Sequence, residues 1–133
     1  MSNYFSGDGN LGAAPILKSV SVGGTKKSVA EFRVAFDNYV TVNNEKTGET
    51  EYEEKGSFWL NVSLWGPRAE RAVAVLVKGA RVHVTGKLTL ASWKDKESGE
   101  DREALQLQAE DVFLSTVRLD SVKFKEKKEA QPA

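Results

Sequence analysis

The chain has no cysteine and a single histidine, His83. Disulfides, thiolate metal sites and Cys nucleophiles are thereby excluded together, and too few ligands remain for a His/Cys zinc centre. Proline occurs three times, and no apolar run nears the length of a membrane-crossing helix. The first residues do not follow a signal-peptide pattern, so a cytoplasmic location away from membranes is expected. Nor is there an excess of one charge, since 19 basic and 19 acidic residues cancel. A polyanion would have to be held by a local patch rather than by the field of the whole molecule. Catalysis has little to draw on. His83 falls on the outward phase of a strand, and the carboxylates crowd into loops rich in other charges. Gly23-Gly24-Thr25-Lys26 lacks the spacing of a Walker or dinucleotide loop. No enzyme activity, no metal and no cofactor is expected.

What the chain does have is aromatic residues in unusual phase. In Ser57-Phe58-Trp59-Leu60-Asn61-Val62-Ser63-Leu64-Trp65-Gly66, read as a strand, Phe58, Leu60, Val62 and Leu64 fall on one side. Trp59, Asn61, Ser63 and Trp65 fall on the other. Two indoles in phase with Asn and Ser suit a flat ligand, or equally a second sheet or a subunit.

The rest of the chain supplies the frame. At 133 residues it is long enough for one domain with a real core, here placed at residues 1–119, followed by a disordered, charged tail at 120–133. A short or irregular first strand is expected to end in a turn at Gly9-Asn10-Leu11-Gly12, and Ile16–Val22 has strand character before the Gly23-Gly24 turn. Val29–Val40 reads as a strand with Phe32, Val34 and Phe36 inward and Glu31, Arg33, Asp37 and Tyr39 outward. Thr41–Gly56 is an acidic hairpin excursion, either a plain surface loop or a flap over a groove. Pro67, then Ala69, Ala72, Val73 and Leu76, then Lys78-Gly79 mark a helix of about three turns at most.

Arg81–Trp93 returns to strand, with Val82, Val84, Leu88 and Leu90 inward and Gly86 as a bend or bulge. A charged turn at Ser98-Gly99 leads to a last strand at Glu103–Leu114, with Val117 and Leu119 as candidates to extend it. Five strands with one short helix between the third and fourth is the order of an all-β OB-fold, a small Greek-key barrel. Trp59, Trp65 and Trp93 share the outward phase of neighbouring strands, with Tyr39 on a third, and Arg33, Arg81 and Lys87 share it too. Lys94 and Arg102 stand at the base of the last hairpin. Aromatic faces for bases beside cations for phosphates make a groove for single-stranded nucleic acid.

The same residues resemble the bacterial single-stranded DNA-binding proteins. The matching segments are Gly9-Asn10-Leu11-Gly12 with Pro15, Ala30–Ala35, Phe58-Trp59 through Trp65-Gly66, Ala69-Glu70 and Val77-Lys78-Gly79. Val82 to Leu88, Trp93-Lys94-Asp95 and Ser98 to Arg102 complete the set, in order. The resemblance implies an OB-fold homo-oligomer, a tetramer more readily than a dimer. It would bind single-stranded DNA in replication, recombination or repair alongside other proteins of those processes, in a nucleoid-associated, cytoplasmic setting. It places stacking roles on Trp59, Trp65 and Trp93, with Tyr39 beside a fourth, and a basic role on Lys78.

The chain departs from the family at Thr89, Ala91, Ser92 and Asn61, where Arg or Lys is common. Fewer phosphate contacts imply weaker binding and a shallower salt dependence. Its last residues, Lys127 to Ala133, do not carry the family's acidic, Phe-ended tip, so recruitment through that tip is not implied. A mobile-element paralogue and a primosome-type accessory module, with the tryptophans at a partner interface, are the other readings.

Overall fold

The computed structural model describes residues 2–126. The chain runs β1 (Tyr4–Leu11), β2 (Ile16–Val22), β3 (Thr25–Phe36), β4 (Tyr39–Asn43), β5 (Thr50–Glu54), β6 (Phe58–Trp65), α1 (Pro67–Val75), β7 (Arg81–Lys94) and β8 (Asp101–Leu114). More strands form than the five expected, and the topology explains the difference. The main sheet has the order β1-β7-β8-β6-β3-β2, and β1 also pairs with β3. That extra pairing joins β1, β3, β6, β8 and β7 into a ring of five, with α1 between the third and fourth of them in chain order. The added strands are β2, which lengthens β3 into a hairpin outside the ring, and the separate β4–β5 ribbon.

Alternation supplies the core. Phe32 and Val34 of β3, Leu60, Val62 and Leu64 of β6, Val82 and Val84 of β7 and Leu107 of β8 all point inward and are buried. Each such side chain contributes about 1.5–3 kcal/mol by leaving water. The helix closes one end. Gly66, at φ 90°, turns the chain out of β6, Pro67 starts α1, and the small residues Ala69 and Ala72 let α1 settle on the barrel beside Leu76.

Several expectations need correction. Gly9-Asn10-Leu11 forms no turn but lies within β1, paired with Phe36, Ala35 and Val34. The glycine signals close approach instead, since a Cβ at Gly9 would stand 2.4 Å from the Ala35 carbonyl oxygen. Val29–Val40 is not one strand. Asp37 turns aside to pair with Arg81, while Asn38 donates its N–H to Ser57 Oγ and its side-chain amide to Gly56 O, each at 3.1 Å.

Phe58 and Leu90 are in the inward phase yet exposed, because each lies past the barrel's edge. Phe58 packs on Phe5 and Phe36 at the rim, and Leu90 pairs with Leu105 on the projecting β7–β8 arm. Gly86 does sit at a bulge, where the β7–β8 register shifts. Val117 and Leu119 do not extend β8, since a single 3-10 turn at Thr116–Arg118 intervenes. Of the expected tail, residues 127–133 lie outside the described residues, while 121–126 are exposed and without regular structure. Among the described residues no helix is long and apolar enough to cross a membrane.

Candidate nucleic-acid interface

The outward faces of β3, β6, β8 and β7 form one continuous surface, and strand register says which side chains adjoin on it. One row runs Arg33, Asn61, Gln106, Thr89. The next runs Glu31, Ser63, Gln108, Lys87, Tyr4. Trp59 and Trp65 stand on β6 on either side of these two rows, about 20 Å apart at ~3.3 Å per residue. Trp93 lies on the same face of the β7–β8 arm, opposite Arg102. The three indoles are 51%, 42% and 48% exposed, in chain order, so none is spent on the core.

Trp59 has the most developed surroundings. Its six-membered ring lies so close over Gly12 that a Cβ there would meet it at 2.6 Å, and Arg33 sits over the indole with its Cζ 5.0 Å from the centroid. The segment Gly12–Ile16 and this part of the sheet enclose an open cavity of about 520 Å³, with Asn61, Ser63 and Gln106 among its lining. Lys78 belongs to this end of the barrel. The N–H of its neighbour Gly79 donates to Leu11 O at 2.8 Å, one residue before Gly12.

Lys87 is half-buried in the second row, and Lys94 is exposed at the arm's tip. Among the described residues neither Lys forms an ion pair, and nor do Lys78 and Arg33. Arg102, by contrast, is held by Asp95 at 3.3 Å. The Asp95 carboxyl is kept below the usual aspartate range, chiefly by the N–H of Glu97, then that of Ser98, with Arg102 a smaller cause.

Tyr39 is not brought to this surface. The break at Asp37 and Asn38 resets its phase, so it starts β4 and lines a separate hollow with Phe58, Asp37 and Arg81. Arg81 is likewise taken up by Asp37, whose hydrogen bond raises the guanidinium pKa further. His83 links Ser6 Oγ to Asp8 Oδ1, both at 2.9 Å. The order is that of a hydrolytic triad, but Ser6 sits inside a regular strand rather than at a turn that gathers N–H donors, so the contact serves to fasten β1 to β7.

Two features escaped the sequence reading. Lys26 and Lys27 line a hollow with Trp65 because the β2–β3 hairpin folds beside the start of α1. Their place just after Gly23-Gly24 was the signal available. Gln106 was also missed, and nothing local marks it as a neighbour of Asn61.

Residues 3–115 match the single-strand binding protein family. The chain belongs to that family. A single-stranded DNA-binding protein of Corynebacterium glutamicum is 33% identical over 104 residues, 78% of this chain and 43% of that protein. One from Mycobacterium tuberculosis is 31% identical over 104 residues, 78% of this chain and 58% of that protein. This member of the single-strand binding protein family thus spans about half the length of the relatives it matches. The small single-stranded DNA-binding protein from Streptomyces coelicolor has a crystal structure that agrees with TM-score 0.70 at 17% identity. The agreement covers 89% of this chain and 98% of that one, and shows the shared OB-fold.

Proposed function

We propose that this chain binds and protects single-stranded DNA on the outer sheet face, without catalysis, in replication, recombination or repair. The observation that carries the reading is the set of three half-exposed tryptophans on one face, with cations between and beside them that form no ion pair among the described residues. Trp59, Trp65 and Trp93 stack bases. Lys78, Lys87, Lys94 and Arg33 meet phosphates, with Lys26 and Lys27 doing so beside Trp65. Arg102 joins them by exchanging Asp95 for a phosphate, and Tyr39 serves only a strand that continues round the rim. Stacking is indifferent to base identity, so overall sequence preference is weak. Assembly into a homo-oligomer, a tetramer or else a dimer, lets one strand pass over several such faces, and the setting is cytoplasmic at the nucleoid.

Titration of tryptophan fluorescence with oligo-dT at two salt concentrations tests this. The reading requires saturable quenching that weakens as salt rises. Absence of quenching at low salt would overturn it and turn attention to a protein partner for the exposed indoles.

A further inference from the structure

β2 carries a free edge that nothing in its sequence blunts. Among the described residues it pairs with β3 alone, over all seven of its residues and without a register shift. Native edges are protected by proline, a bulge or an inward charge. Here proline stands only ahead of the strand, at Pro15, and the single charge, Lys18, is engaged by Glu31 at 2.7 Å. Ile16, Leu17 and Val22 are exposed along it.

The hairpin fixes which backbone groups face that edge. A two-residue turn at Gly23-Gly24, both at positive φ, makes Val22 and Thr25 a hydrogen-bonded pair. By alternation Val20, Lys18 and Ile16 also bond to β3, whereas Leu17, Ser19 and Ser21 turn their N–H and C=O groups outward. Ser28, opposite Ser19, obeys the same phase, since its carbonyl faces away from β2 and accepts from the Gly66 N–H at 2.9 Å.

We propose that this edge is a subunit seam, on which a second copy of the chain lays its own β2 antiparallel about a two-fold axis at Ser19. Ser19 is the middle residue of the seven, so this register pairs every one of them. It sets Leu17 against Ser21 and Ser19 against its counterpart, joining the outward groups in roughly six main-chain hydrogen bonds. Ile16 meets Val22 and Lys18 meets Val20, so apolar side chains cover one another and no like charges stand directly opposite. The seam deepens the single-strand reading above, and its part in DNA binding rests on that reading. Trp65, Val29 and Lys18 form one row of the outward face. Across the seam that row runs on through Val20 to Lys27 of the second copy, so one strand passes from the indole of one copy to the lysine of the next.

The full chain has no cysteine, so introduced thiols test the register directly. Cα atoms of a hydrogen-bonded antiparallel pair lie about 5.5 Å apart, within disulfide reach. Under mild oxidation Ser19→Cys should become a disulfide-linked dimer. Ser21→Cys, displaced from its counterpart by roughly 13 Å along the strand, should stay largely reduced. Ser19→Pro removes an outward N–H and no bond to β3, and should halve the mass of the assembly in sedimentation. It should leave affinity for a dT strand of about 10 nucleotides within about twofold, and weaken one of about 40 nucleotides by at least about tenfold as avidity is lost. Ser19→Cys that does not link, or links no more readily than Ser21→Cys, would overturn the seam, as would an unchanged mass in Ser19→Pro. A seam confirmed in a chain that binds no oligo-dT would stand, while the single-strand reading would fall.

Discussion

Arg33 lies over Trp59, its guanidinium carbon 5.0 Å from the ring centroid, and among the described residues it has no carboxylate partner. Such a contact is worth about 0.5–1 kcal/mol at an exposed site, little enough for a phosphate to draw the arginine away. Arg33→Ala is expected to weaken binding to every strand alike and to reduce the salt slope by about 0.7, one phosphate's share. Titrations at several salt concentrations read both effects.

Trp59→Ala and Trp93→Ala should each cost about 1–3 kcal/mol of affinity for oligo-dT. Both indoles are half-exposed, so the melting temperature should move little. Anisotropy titration, paired with sedimentation of each variant, checks this. An oligomer that dissociates in either variant would assign that indole to a subunit contact.

Leu107 is fully buried and is β8's inward residue, facing Val62, in the short parallel β6–β8 pairing, which runs only from Asn61 to Ser63 on β6. Leu107→Ala opens a cavity where the ring of strands is most thinly paired. A loss of about 2–5 kcal/mol is expected in urea unfolding.

Gly86 sits where β7 crosses its bulge, and an added Cβ would stand 2.2 Å from the backbone oxygen of Gln108. Backbone cannot swing aside as a side chain does. Gly86→Ala should therefore destabilise by about 1–3 kcal/mol, visible as a lower urea midpoint.

Asp95 carries a pH expectation. Its folded pKa is lowered, first by the Glu97 N–H and then by the Ser98 N–H, so its ionised form is favoured by folding. The stabilisation it gives the β7–β8 turn is present above the ordinary aspartate pKa and fades as pH falls through the lowered value. The amide shifts of Glu97 and Ser98, followed by NMR during acid titration, should show a midpoint below that of an unperturbed aspartate.

Much of the frame was legible because it depends on neighbours in the chain. Alternation in Phe58–Trp65 separates Leu60, Val62 and Leu64 from Trp59, Asn61, Ser63 and Trp65 whatever that strand packs against. Pro67 and the spacing of Ala69, Ala72 and Leu76 mark α1 in the same way. Period alone says which side a residue takes, not whether anything covers that side. Phe58 and Leu90 therefore share the phase of the core although they overhang it, and Tyr39 loses its phase at a break made by Arg81 and Ser57, both distant in sequence.

The sequence by itself determined the periodicities, and with them the all-β class, the helix and the outward phase of Trp59, Trp65 and Trp93. Only the tertiary structure decided how the ring closes, through β1 against β3 and the parallel pairing of β6 with β8. That closure brings Asn61 beside Gln106, seats Trp59 on Gly12 under Arg33, and gives Arg102 to Asp95. Local preferences act over a few residues, whereas register between distant strands is set by burying all the inward faces at once.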